Sequence, residues 1–250
     1  MLNKVNKNSV REARNRFEKD LRTSVYSKIT ADEAQIERIF SDCKLNDNGM
    51  YLDIGTGRGY IAFNLAKRCP NAMITGIDIV PLVLEENRKQ ATRQELKNLE
   101  FTEFDGIKIP PENDMFDGTF ARYSFHHFPD PEFTANEIAR VTKLGGFCFI
   151  SDPRPNEKDN MDFANDFSLL RNDGHIKYYT EDELIKLIEA GGLKHESTFY
   201  TEVVIPRKLD DRYRSLLNTI PHELKEAYQI KIENEEVRLR MQIMNLLFRK

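Results

Sequence analysis

The chain has 250 residues, 40% of them hydrophobic and 31% charged, enough material for one large domain with a core of its own. Twelve Gly and ten Pro exclude collagen-like and low-complexity classes, and a mean hydropathy of -0.59 with no apolar run near about 18 residues argues against a membrane-spanning helix. The net charge of -4 is uneven: residues 1–28 hold eight Lys/Arg against three Asp/Glu and residues 206–250 ten against seven, which leaves -12 across 29–205 and makes the middle a poor partner for nucleic acid, whose affinity rests on neutralised phosphates.

From the N-terminus, residues 9–28 and 31–43 are expected as two helices, the second with an apolar stripe at Ala34, Ile36, Ile39 and Phe40. Thr30 and Glu33 have capping-box spacing ahead of it. After the turn cluster Asn46–Gly49 the period changes. Met50–Ile54 reads as a strand, Gly55–Gly59 as a loop and Tyr60–Lys67 as a helix; Ala72–Ile79 is the next strand, and Pro81 opens a helix to about Leu96. Strands are expected at 99–104, 116–121 and 146–151, with a helix at 132–143. Residues 152–175 break the rhythm as an inserted helix, and 180–190 form a helix opened by Thr180 and Glu183 and closed by Gly191-Gly192. Helices near 208–231 and a last strand, Val237–Phe248, complete the chain. Strand–helix alternation over 50–151 predicts a doubly wound, mostly parallel α/β sheet of about seven strands. The expected divisions are a helical cap (1–45), a ligand-binding core (46–151), a lid insert (152–178) and a C-terminal part (179–250). Cys43, Cys69 and Cys148 are scattered and odd in number, and the first residues carry no apolar leader; the expectation is a reducing, cytoplasmic location without disulfides. The five histidines show no ligand spacing, so no metal is expected.

The segment Asp53-Ile54-Gly55-Thr56-Gly57-Arg58-Gly59-Tyr60 directly follows a strand. The dinucleotide fingerprint needs a third glycine where Tyr60 stands, which disfavours a nicotinamide dehydrogenase, and the Gly-Lys-Ser/Thr of a P-loop is absent. Instead Asp53 ends the strand, where a carboxylate repels pyrophosphate but suits an ammonium group. Asp78 ends the next strand, 23 residues after Gly55, placed to accept both hydroxyls of a ribose. A ligand with a ribose, a cationic amino-acid end and no phosphate is S-adenosylmethionine.

These motifs resemble the class I S-adenosylmethionine-dependent methyltransferases, together with Phe104-Asp105-Gly106 and Arg140–Asp152, whose Leu144-Gly145-Gly146 matches the family's turn before its fifth strand. The resemblance implies a Rossmann-like sheet on which Asp53, Gly55, Gly57 and Gly59 line the methionine end and Asp78 takes the ribose. Ile79 would pack on adenine, and Asp105 beside Gly106 would accept from its amino group. Phe120–Pro131 (FARYSFHHFPDP) and Leu170–His175 are similar to the ubiquinone/menaquinone-type C-methyltransferases and their small-molecule relatives. Arg58, in place of a small residue common in the loop, and the last 45 residues depart from that pattern.

Methyl transfer needs mainly alignment, because the cofactor carries the reactive group. His126 is the first candidate for a base, ahead of His127, and Arg122 for a grip on cofactor or on a substrate oxygen. Tyr26 and Tyr123 are minor candidates for contact with a sulfonium, Arg171 and His175 for the lid. The expected function is methylation of a small-molecule acceptor by direct in-line displacement, with the oligomeric state open. The alternatives are a non-catalytic S-adenosylmethionine sensor or partner subunit and an RNA or protein methyltransferase; Arg122-Tyr123-Ser124-Phe125 stands where amino-methylating nucleic-acid enzymes carry Asn/Asp-Pro-Pro-aromatic.

Overall fold

A computed structural model describes residues 4–20 and 31–250. Tyr26, Thr30 and the end of the first expected helix lie outside the described residues. The chain alternates helices and strands around one sheet: α1 (Lys4–Asp20), α2 (Glu33–Cys43), β1 (Met50–Ile54), α3 (Tyr60–Arg68), β2 (Met73–Asp78), α4 (Pro81–Arg93), β3 (Leu99–Glu103) and β4 (Phe116–Arg122). A single 3-10 turn, Phe125–His127, then leads to α5 (Pro131–Val141), β5 (Thr142–Arg154), α6 (Phe163–Leu169) and α7 (Glu181–Ala190). Last come β6 (Lys194–Lys208), α8 (Asp211–Thr219), α9 (His222–Ala227), β7 (Lys231–Glu233) and β8 (Glu236–Arg249).

The sheet order is β3-β2-β1-β4-β5-β8-β6, with β7 paired on β8. The first five strands are mutually parallel, and β8 and β6 add antiparallel. The parallel strands are apolar on both faces because helices cover both. Successive residues alternate: Tyr51, Phe120, Phe147 and Phe149 pack under α2, α3 and α4; Leu52, Ala121, Cys148 and Ile150 pack under α5 and α7. All three cysteines are buried as free thiols, small apolar side chains in use.

Several local expectations change. The cap of α2 is Asp32, whose side chain accepts from the Gln35 amide; the buried stripe runs through Gln35, Ile36, Ile39, Phe40 and Cys43, with Ala34 exposed. The reciprocal capping box of Thr180 and Glu183 does form, and Pro81 occupies the first turn of α4. Leu144-Gly145-Gly146 is a protrusion inside β5: Phe116 pairs with Thr142 but Gly118 with Phe147, so 143–146 loop out through Gly145 at φ 78°.

The tail holds two strands, β6 and β7, beyond the one expected. β6 pairs with β8 from Lys194 opposite Arg249 to Lys208 opposite Glu236, extending past the end of β5, where Arg154 faces Gln242. A third apolar cluster fills the space under this extension, from Phe167 in α6 to Val203 and Ile205 in β6 and Tyr213 and Leu217 in α8. Pro206 is tolerated because β6 is an edge strand and its missing N–H costs no ladder bond.

Candidate functional site

The strand order reverses direction at β1, whose neighbours β2 and β4 feed helices on opposite sides. Crevices at such switch points, beyond the carboxyl ends of the strands, are where ligands bind in open α/β sheets. A cavity of about 530 Å³ lies there. Its floor is the loop Gly55–Gly59, with positive φ at all three glycines. Gly55 is excluded from side chains by packing as well, since a Cβ there would sit 2.5 Å from Ser124 Cβ. A Cβ on Gly57 would meet nothing within 4 Å; its amide instead donates to Asp78 Oδ2 at 2.8 Å.

Asp53 and Asp78 both line the cavity. Asp53 Oδ2 accepts from Thr56 Oγ1 (2.6 Å) and the Ala62 amide (3.2 Å). Burial raises its pKa to about 6 against these hydrogen bonds, because a low dielectric disfavours the charged form. Asp78 Oδ1 accepts from the Val80 amide at 3.0 Å, and burial pushes its carboxyl above the usual range. The residue that caps α4 is Val80, without a side-chain bond, so Asp78 braces the glycine loop and faces the cavity. Ile79 and Gly106 line the cavity. Asp105 does not: it is exposed, and its Oδ1 accepts from the amides of Ile107 and Lys108, each at 2.9 Å. The geometry assigns Asp105 to the turn.

Arg122, the last residue of β4, enters the cavity between two aromatic rings, its guanidinium carbon 4.5 Å from the Tyr60 centroid and 4.6 Å from that of Tyr123. Burial lowers its pKa from the usual guanidinium value, while Tyr123, Tyr60 and Asp53 oppose the shift. Tyr123 holds φ 54°, a conformation non-glycine residues rarely adopt, while its amide donates to the Ser151 carbonyl at 2.7 Å. Gln35, which the sequence did not single out, accepts from Arg122 Nε (3.0 Å) and Nη2 (2.6 Å) through one oxygen. The signal available was a polar side chain bordering the apolar stripe of α2.

His126 is absent from the cavity wall; His127 stands there instead. His126 Nδ1 is 2.8 Å from Asp152 Oδ1 and its amide donates to Asp152 Oδ2. Its carbonyl accepts from the Ile176 amide at 2.8 Å. His126 thus pins β5 to the segment after α6 and stands outside the cavity wall, where the sequence expected a candidate base. His127 lies 4.2 Å from His126 with the rings tilted by 46° and meets Phe17 of α1 edge-on at 5.3 Å. Burial lowers its pKa to about 3, so the ring is neutral and a weak base at physiological pH. His175 is buried behind it, bonded through Nε2 to Asn165 Oδ1 at 2.8 Å, with burial lowering its pKa to about 2. Among the described residues no group of three or more His, Cys, Asp or Glu is placed to hold a metal ion. Arg171 reaches the cavity and pairs with Asp173 at 3.0 Å. Val10, Ala13 and Phe17 of α1 form the apolar roof.

Residues 45–228 match the methyltransferase-domain family. An uncharacterized methyltransferase, YcgJ of Bacillus subtilis, is 24% identical over 170 residues, 68% of this chain and 66% of that protein. A demethylmenaquinone methyltransferase of Thermus thermophilus is 32% identical over 107 residues, 43% of this chain. The chain spans only 66% and 48% of the lengths of these relatives. The crystal structure of B. subtilis YcgJ covers 88% of this chain and aligns over 100% of its own, with a TM-score of 0.75 at 21% identity; a likeness at that identity speaks for the fold. No helix among the described residues is long and apolar enough to cross a membrane. The family match over most of the chain, on this sheet and around this cavity, makes the chain a member of the methyltransferase-domain family, with the Rossmann-like fold of class I S-adenosylmethionine-dependent methyltransferases.

Proposed function

We propose that the chain methylates a small, partly apolar acceptor. The observation that carries this reading is the pairing, in one cavity, of two buried carboxylates and a half-buried guanidinium with an apolar roof. The wall fits S-adenosylmethionine: Asp78 offers acceptors to a ribose diol, Asp53 a counter-charge to the ammonium, Arg122 a partner for the carboxylate, and Ile79 a flat contact for adenine. Bound there, the cofactor supplies an electrophilic methyl group on a sulfonium.

The rest falls to the chain. The glycine loop lets backbone approach the ligand closely. Phe17, Phe128 and Pro129 hold an apolar acceptor and exclude water, so alignment provides most of the acceleration. His127, being neutral, keeps the methyl-donor side free of competing charge and takes no full proton from the acceptor. Acceptors that ionise by themselves, such as phenols and enols, suit such a wall. The relatives named for demethylmenaquinone and for ubiquinone/menaquinone C-methylation accord with an apolar acceptor bearing ionisable hydroxyls. α1 and the segment between β5 and α7 act as lids, and the acidic middle agrees with an acceptor that is not nucleic acid.

The test is transfer of a labelled methyl group from S-adenosylmethionine to a panel of alkylated hydroquinones, phenols and enols, with RNA as the control. Label in a small-molecule product, abolished in Arg122→Ala, supports the reading; label in RNA alone overturns it. Tight cofactor binding without transfer across the panel favours a sensor.

A further inference from the structure

Gln35 is 2% exposed, and its amide sits where α2 meets β5, β6 and β8. Its Nε2, with two hydrogens to donate, faces three oxygens: Asn245 Oδ1 at 2.8 Å, Ser151 Oγ at 3.1 Å and Thr201 Oγ1 at 3.2 Å. Those partners are themselves oriented. Asn245 Nδ2 faces three acceptors, the carbonyls of Phe199 and Ile243 and Thr201 Oγ1, each at 3.3 Å, and Ser151 Oγ donates to Asn245 Oδ1 at 2.9 Å. With acceptors on that side, the amide has one orientation, and its oxygen must face Arg122. There it takes both the Nε and the Nη2 hydrogen bonds.

We infer that Gln35 is a positioning residue for the cofactor's carboxylate: a neutral oxygen, held from β5, β6 and β8, that fixes the plane of the Arg122 guanidinium over Tyr60 without cancelling its charge. A carboxylate at this position would form an internal ion pair and compete with the ligand for the same cation. An amide orients the fork through two hydrogen bonds and itself neutralises none of its charge. Asp53 stands close enough for its charge and that of Arg122 to act on each other, so the two side chains together present opposite charges to a zwitterionic amino acid. The inference rests on the proposed cofactor and adds how its amino-acid end is recognised. It also gives the C-terminal hairpin a task, because Thr201 and Asn245 belong to strands added antiparallel to the sheet.

The experiment is calorimetric binding of two probes to the full chain: S-adenosylhomocysteine, which has the amino-acid end, and 5′-methylthioadenosine, which lacks it. In Gln35→Met, similar in size, S-adenosylhomocysteine is expected to bind about tenfold more weakly, in line with loss of a hydrogen bond to a charged group, with methylthioadenosine affinity within about twofold of the original. Gln35→Glu is expected to lose affinity for S-adenosylhomocysteine in the same selective way. Arg122→Lys reproduces the selectivity, and adding Gln35→Met to it costs little more, because both act through one interaction. Equal weakening of both probes, no weakening of either, or additive losses in the double variant overturns the inference. An original chain that binds neither probe overturns the cofactor reading as well; binding of both, with Gln35→Met unmoved, overturns this inference alone.

Discussion

At the scale of single residues, the cavity balances charge against burial. Asp53 is an acid whose folded pKa, about 6, lies above its usual value, so protonation is favoured in the folded chain and must be reversed when a cationic ligand binds. S-adenosylhomocysteine affinity is therefore expected to fall as pH drops below about 6, by up to tenfold per pH unit. Titrations between pH 5 and 8 check this, and Asp53→Asn should flatten the profile. The glycines give a second contrast. Gly55→Ala combines φ 69° with a Cβ 2.5 Å from Ser124, whereas Gly57→Ala has φ 49° and open space. Gly57→Ala is expected to cost about 1 kcal/mol, a left-handed alanine, and Gly55→Ala clearly more, by thermal melting. The positions of Asp53, Gly55, Gly57 and Asp78 on the cavity wall were legible because chain spacing places each at or just after a strand end. Gln35 was not, since what matters about it is which strands converge on it, and no local pattern records that. Asp105 is the opposite case: the Asp-Gly pair is a local turn signal, and the turn is what Asp105 holds.

At the scale of elements, α1 and the loop after α6 close the cavity together. A Cβ on Gly174 would lie 2.3 Å from the Ser9 carbonyl and 2.8 Å from Ala13 Cβ, so Gly174→Ala is expected to push α1 away. Hydrogen exchange across residues 8–19 should rise severalfold, with the central sheet unchanged; an unchanged α1 would contradict the lid assignment. The histidines behind this contact add a pH dependence. His175 has its folded pKa depressed to about 2, so unfolding takes up a proton wherever the pH is below the ordinary value near about 6.5. Stability from this residue is full above that value and falls as pH drops, by about 2 kcal/mol at pH 5. Asp53 works the other way, since its raised pKa adds stability as pH falls through about 6. The comparison that isolates the histidine is the original chain against His175→Gln, which keeps a donor for Asn165: in denaturant melts the change in stability between pH 7 and pH 5, to which His127 and Asp53 also contribute, should differ between the two chains by about 2 kcal/mol. The pairing of His126 with Asp152 could not be read from the chain, where the two lie on different elements and adjacent histidines look alike.

At the scale of the molecule, the parallel half of the sheet was legible and the antiparallel end less so, for a physical reason. Strands β1, β2, β4 and β5 are buried on both faces and read as short apolar runs separated by helices and turn residues. β6 is an edge strand, and its signal is a weaker alternation, with Phe199, Thr201, Val203 and Ile205 on one side of a segment interrupted by charges and Pro206. Its length comes from pairing with β8 and from the third apolar cluster, both of them distant contacts. The consequence reaches function, because that hairpin delivers Thr201 and Asn245 to Gln35. The central claim, that the cavity at the turn of the sheet is built for S-adenosylmethionine, is tested most directly by calorimetric titration with S-adenosylhomocysteine, with NAD as the control. The account predicts micromolar or tighter binding of S-adenosylhomocysteine, at least tenfold weaker in Asp78→Ala as two ribose hydrogen bonds are lost, and no heat with NAD. Absence of heat and of thermal shift with S-adenosylhomocysteine, or affinity unchanged in Asp78→Ala, would contradict it.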